Sequence, residues 1–272
     1  MDKIAWIIKN ALKEDMPKGD VSTDNLFTNE TSKARLIAKE DGILSGMAVC
    51  KRTFLTVDSQ TKFEIVRGDA EHVEKGTIIA LIEGKTASIL KAERVGLNFL
   101  QRMSGIATST SRFVEATSGT AAKIYDTRKT TPNLRVLEKL AVLDGGGMNH
   151  RMNLSEMVML KDNHIQAAES IALAVSTIRN KLGNLYKVEV EAENIAMFKE
   201  ALNTDCDIIM LDNMSTSDMK KCVDLNQGKK LLEASGNMSL ERIKEVAATG
   251  VDMISVGMLT HSYKSLDISL KF

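Results

Sequence analysis

The chain has 272 residues, with 36 lysines and arginines against 36 aspartates and glutamates, so its formal net charge is zero. That length suits one large barrel or a barrel with a small companion domain, and 43% apolar residues supply a sizeable core. Balanced charge argues against general affinity for nucleic acid or membranes, while the early charges of MDKIAWIIKNALKED and the short apolar runs argue against a signal peptide or membrane span.

Residues 3–15 place Ile4, Ile7, Ile8, Ala11 and Leu12 at helical spacing, which predicts an amphipathic first helix ended by Pro17, Lys18 and Gly19. From Ser32 to about Leu90, short apolar runs are separated by Gly42, Gly46, Gly68, Gly76 and Gly84. This predicts a small, mostly antiparallel sheet domain of α+β type. It holds no catalytic cluster, and no lysine sits at an exposed hairpin tip as a carrier domain requires. Scaffold is its expected role. Residues 91–116 change to helical period, with Val95, Phe99, Met103 and Ile106 on one stripe. This helix is expected to link the two domains and to break at Ser104 and Gly105. Cys50, Cys206 and Cys222 are odd in number and lack metal-ligand spacing, which points to thiols in a reducing cytoplasm.

From Ile124 onward short strands alternate with helices, as in a parallel α/β domain. The expected strands are 123–127, a short piece at Gly147–Asn149, 157–161, 187–192, 208–212, 230–235 and 253–257. Amphipathic helices are expected at 166–181, 194–203, 216–226 and 239–248. Seven strands are one fewer than the usual eight-stranded barrel has. Polar residues load the C-terminal ends of these strands, where such folds present their active sites.

The chemistry divides by charge. Arg128, Lys129, His150, Arg151 and Lys161 make an anion cradle, in which arginine forks suit planar carboxylates and lysines serve as point charges for phosphate. Glu191 and Asp212, on strands expected to be neighbours, form the opposite pole. Carboxylates there grip sugar hydroxyls, hold Mg²⁺, or balance a cationic transition state, unless each merely pairs with a lysine. Ser235 and Gly236, between a strand and a helix, offer backbone N–H groups to a phosphate, as does Gly257 after the next strand. His164 and His72 read as structural or surface residues.

Together DTRKTTP, GGGxNHR, KDNH, VEVEAEN, MLDNM, EASGN and SVGMLTHSYKSLDISL resemble quinolinate phosphoribosyltransferases, the carboxylating nicotinate-nucleotide pyrophosphorylases. AERxxLNFLxRxSGIAT at Ala92–Thr108 and ALKEDxxxGDVST at Ala11–Thr23 extend the resemblance over nearly the whole chain. It implies an α/β fold in which an N-terminal α+β open-faced sandwich domain with its linking helix (1–108) precedes a seven-stranded parallel α/β barrel (109–272). It also implies conversion of quinolinate and phosphoribosyl pyrophosphate, with Mg²⁺, into nicotinate mononucleotide, pyrophosphate and CO2 in de novo NAD synthesis. The enzyme would be a cytoplasmic homodimer or hexamer.

Residue by residue, the resemblance implies that Arg128, His150, Arg151 and Lys161 bind the two quinolinate carboxylates. Arg94 would reach the neighbouring subunit's site, and Lys129 would meet the phosphoribosyl substrate. Glu191 and Asp212 would hold ribose hydroxyls and metal-bound waters. Ser235, Gly236 and Gly257 would cradle phosphate, with His261 close by. Glu156, where aspartate is frequent, and Asp144, where a small or apolar residue is usual, depart from the pattern beside the site motifs. The rival expectations are a molybdenum-associated phosphoribosyltransferase-like relative, a transferase acting on nicotinate itself, and a non-catalytic barrel that binds sugar phosphates.

Overall fold

The computed structural model describes residues 2–272. In chain order the elements are α1 (Lys3–Asp15), α2 (Val21–Leu26), β1 (Thr31–Ala38), β2 (Gly42–Ile43), α3 (Met47–Val57), β3 (Lys62–Ile65), β4 (His72–Val73), β5 (Ile78–Lys85) and α4 (Thr86–Ala116). There follow β6 (Lys123–Tyr125), α5 (Arg135–Asp144), β7 (Val158–Leu160), α6 (Asp162–Ala167), α7 (Ile171–Leu182), β8 (Val188–Ala192) and α8 (Ile195–Leu202). The chain closes with β9 (Ile208–Asp212), α9 (Thr216–Asn226), β10 (Leu231–Ser235), α10 (Leu240–Ala247), β11 (Met253–Ser255), α11 (Met258–His261) and β12 (Ile268–Lys271).

These elements form two compact units. The first takes the chain up to Ser111, Thr130–Gly146 and Leu259–Phe272; the second takes Arg112–Lys129 and Gly147–Met258. The two units interleave along the chain. The closing segment returns to the first unit because Ile268 and Leu270 of β12 bury their side chains there, and β12 pairs antiparallel with β1.

The first unit is built on an antiparallel sheet of order β12–β1–β5–β3. Leu36, Ile79, Ala80 and Ile82 from the sheet pack with Phe54 of α3 and Ile89 and Leu100 of α4 in an apolar core. The helix α1 forms as its spacing predicts, with the Asp2 carboxylate accepting from the Ile4 and Ala5 N–H groups at its start. Helices fall where none was expected, among them α2, α3 inside the strand-and-glycine stretch, α5 before the triple glycine, and α11. The expected break at Ser104 and Gly105 does not occur, and α4 runs through both. Glycine is needed there for space. A Cβ at Gly105 would lie 2.3 Å from the Lys264 carbonyl oxygen, so the closing segment packs directly on the helix backbone.

The second unit is a parallel sheet of order β6–β11–β10–β9–β8–β7, alternating in sequence with helices. Six strands pair in it. The seventh expected strand, at Gly147–Asn149, is reduced to a parallel bridge between Met148 and Tyr125. All five residues of β8 are buried, as expected of a parallel strand covered on both faces. Because side chains alternate, Glu189 and Glu191 share one face of β8.

Candidate active site

The cation arm starts where β6 ends. Met148 N–H donates to the Ile124 carbonyl (2.8 Å) and Asp126 N–H to the Met148 carbonyl (3.0 Å). Asp126, fully buried, then accepts the His150 N–H through Oδ1 at 2.8 Å. These bonds zip residues 148–150 against 124–126, so Arg128 and Arg151 emerge from neighbouring positions. Their proximity registers electrostatically. Arg151 is less basic than an ordinary arginine, first through burial and then through the charge of Arg128, with Glu189 opposing. The Arg151 guanidinium is oriented from below, donating to the Met157 carbonyl (3.0 Å) and to Met159 Sδ (3.2 Å). Two arginines held together repel one another, and an anion between them removes that repulsion. Lys129 follows on the same arm, its side chain exposed.

His150 is turned inward. Its Nε2 lies 3.1 Å from Glu233 Oε2 and 3.3 Å from Glu189 Oε2, and both carboxylates are fully buried. Its Nδ1 accepts the Arg151 N–H at 2.8 Å, which puts the ring hydrogen on Nε2. Burial alone would lower the basicity of His150, but its contacts with the carboxylates of Glu189 and Glu233 outweigh it and raise the ring to about 10. Burial, then the charge of Glu233, pushes Glu189 up to about 7. The ring is thus committed to two protein carboxylates through one nitrogen and to the backbone through the other, whereas the sequence had suggested a direct ligand for an incoming carboxylate.

The acidic pole lies on the adjacent strands β8 and β9, as expected. Carboxylate oxygens of Glu191, Glu193 and Asp212 lie within 4.8 Å of one another, a separation that one hard cation can span. Glu191 is buried, while Asp212 is half-buried and Glu193 exposed. Lys161 Nζ donates to Glu191 Oε2 at 2.7 Å. The anion cradle and the acidic pole therefore meet at this pair, and the simple lysine pairing weighed from sequence is present here. Both Lys161 and Glu191 can exchange that contact for a bound anion and a bound cation respectively.

Beside Asp212 the chain makes a tight turn. Ser235 of β10 is in register with Asp212, and Asn213 N–H donates to the Ser235 carbonyl at 3.0 Å. Gly236 has φ +85°, and a Cβ there would lie 2.1 Å from Asn213 Oδ1, so only glycine fits. Arg242 of α10 supports the turn, donating to the Gly236 carbonyl (3.1 Å) and the Met214 carbonyl (2.7 Å). Gly257 follows β11, whose extension at Val256 donates to the Tyr125 carbonyl at 2.9 Å.

The second unit thus brings together ten of the twelve expected site residues: Arg128, Lys129, His150, Arg151, Lys161, Glu191, Asp212, Ser235, Gly236 and Gly257. Arg94 and His261 belong to the first unit. Arg94 is exposed on α4, and the exposed His261 ring sits 2.6 Å from Ser262 Oγ through Nδ1. Four residues near the site carry no expectation from the sequence as ligands: Glu189, Glu233, Glu193 and Arg242. An available signal was the charged residue inside each apolar run, VEVEA and LLEAS, where burial of a carboxylate needs a reason.

With the geometry in hand, similarity to known proteins is extensive. Residues 20–104 match the model of the quinolinate phosphoribosyl transferase N-terminal domain and residues 106–271 that of its C-terminal domain. A Synechocystis protein named probable nicotinate-nucleotide pyrophosphorylase (carboxylating) is 42% identical over 98% of this chain and 93% of its own. Quinolinate phosphoribosyltransferase (decarboxylating) 1b of Nicotiana tabacum is 44% identical, covering 97% of this chain and 81% of that one. The crystal structure of NadC from Streptococcus pyogenes superposes with a TM-score of 0.96 at 43% identity, covering 99% of this chain and 95% of that chain.

Proposed function

Since the chain belongs to the quinolinate phosphoribosyltransferase family, we propose that its cation arm binds the two carboxylates of quinolinate and its acidic pole serves the phosphoribosyl donor. The enzyme is a carboxylating nicotinate-nucleotide pyrophosphorylase, a pentosyltransferase of de novo NAD biosynthesis. It transfers the phosphoribosyl group from phosphoribosyl pyrophosphate to quinolinate with loss of CO2. The observation that carries the site reading is the pairing of residues 148–150 with 124–126, which brings Arg128 and Arg151 out together beyond the end of β6. A dicarboxylate satisfies both guanidinium groups at once.

In this reading Arg128, Arg151 and Lys161 orient the pyridine ring so that its nitrogen faces the anomeric carbon of the ribose. His150 supports the cradle. As pyrophosphate leaves, positive charge develops on the sugar, and Glu191 and Asp212 favour it electrostatically. Lys129 meets the departing pyrophosphate, and the glycine turns at Ser235, Gly236 and Gly257 offer N–H groups to the ribose phosphate. After transfer the ring nitrogen is cationic. The bond from the ring to the adjacent carboxylate breaks as CO2 leaves, its electron pair stays on the ring carbon beside the cationic nitrogen, and a proton then adds to that carbon. The cradle holds the remaining carboxylate and keeps water out. Glu191, Glu193 and Asp212 have the donor set and spacing to hold Mg²⁺, directly or through water. When bound, the ion supplies positive charge to the pyrophosphate.

Arg94, exposed on α4, is assigned to the site of a neighbouring copy in a homodimer or a hexamer. Among the described residues no helix is long and apolar enough to cross a membrane. Three buried free thiols fit a cytoplasmic setting.

A turnover assay with phosphoribosyl pyrophosphate and Mg²⁺, offering quinolinate in one reaction and nicotinate in another, tests the function. CO2 and nicotinate mononucleotide from quinolinate alone are expected. Turnover of nicotinate alone, or of neither acid, would overturn it.

A further inference from the structure

Glu189 of β8 and Glu233 of β10 are the two fully buried glutamates of the parallel sheet, and their carboxylates approach within 4.8 Å of each other beside His150. Two adjacent buried carboxylates cost several kcal/mol of desolvation and repulsion before any compensation. Both oxygens of Glu189 and Oε1 of Glu233 lack a conventional hydrogen bond. What the pair does contact is the His150 Nε2, at 3.3 and 3.1 Å. From there the contacts run outward in one direction. His150 Nδ1 takes the Arg151 N–H at 2.8 Å, and His150 N–H goes to Asp126, two residues before Arg128.

We propose that Glu189 and Glu233 are positioning residues of the acceptor site, acting through the His150 ring to fix the backbone from which Arg151 reaches the acceptor carboxylate. This rests on the proposed cradle and extends it from the residues that meet the acceptor to the pair that sets their place. A buried ring anchored at both nitrogens has one orientation. If one carboxylate loses its charge, the ring is held less firmly, the Arg151 N–H loses a fixed acceptor, and the guanidinium drifts from its seat on Met157 and Met159. The linkage from the pair through His150 to Arg151 does not include the donor-side carboxylates, Glu191 of β8 and Asp212 of β9.

The test is steady-state kinetics of Glu189→Gln and Glu233→Gln, alone and combined with Arg151→Ala, each checked by thermal melting. Glutamine preserves size and an acceptor oxygen while removing the charge. The expected result is a rise of roughly tenfold in the quinolinate KM, with the phosphoribosyl pyrophosphate KM unchanged. Adding either glutamine to Arg151→Ala should produce no further rise, because both changes act on one linkage. Equal changes in both KM values, additive effects with Arg151→Ala, or loss of folding in both glutamine variants would overturn the proposal by making the pair merely structural. A wild-type enzyme that does not use quinolinate would instead overturn the cradle itself. Wild-type turnover with unaltered glutamine variants would overturn only the positioning role.

Discussion

The two sheets of this chain bury opposite kinds of side chain. The antiparallel sheet packs Leu36, Ile79 and Ile82 against Phe54 and Leu100 in an apolar cluster. The parallel sheet buries Asp126, Glu189, Glu191 and Glu233 on or beside its strands. Apolar burial stabilises wherever it occurs, whereas a buried carboxylate stabilises nothing unless something opposes its charge. The first sheet is therefore explained by folding alone. The second is explained by what its charges hold: Glu189 and Glu233 the His150 ring, Asp126 the His150 backbone N–H, and Glu191 the Lys161 amine.

The contrast can be broken from either side. The largest effect on stability is expected from Leu36→Ala, which leaves a cavity in the antiparallel core and should cost about 2–5 kcal/mol in chemical denaturation. Both KM values should stay at wild type in the folded fraction; a selective change in either would end the view of this sheet as scaffold. Next comes Asp212→Asn, which keeps shape at the acidic pole but removes charge that favours the developing cation. A loss of roughly 10²–10³-fold in kcat is expected, with the melting temperature little changed. A kcat near wild type would remove Asp212 from the chemistry. The smallest effect is expected from Glu83→Gln, which removes the exposed pair between Lys62 and Glu83, 3.3 Å apart. Its cost should stay below about 1 kcal/mol with unchanged kinetics, and a larger one would mean the sheet's outer face is not simply solvated.

How much was legible in the sequence follows the same division. Elements with a strong period appear where expected, among them α1, β8 and β9, and the ends of the parallel strands carry the charges as expected. The residues that meet solvent at those ends, such as Arg128, Lys161 and Asp212, could be found because an exposed charge after an apolar run is a local signal. Glu189 and Glu233 could not be assigned a role that way. Inside VEVEA and LLEAS they look like any alternating strand residue, and only the sheet order brings both to His150. The break expected in α4 fails for a related reason. Gly105 looks like a helix breaker locally, but it is required by the backbone of Lys264 far along the chain. The strand β12 is short, and its place beside β1 depends on the fold rather than on its own sequence.

The most direct measurement is steady-state kinetics of Arg151→Ala against both substrates. Loss of a charge-assisted contact to one carboxylate of the acceptor should raise the quinolinate KM by roughly 10–100-fold, with the phosphoribosyl pyrophosphate KM within about twofold of wild type. That split is the predicted result. An equal rise for both substrates, or none for quinolinate, would contradict the assignment of the cation arm to the dicarboxylate.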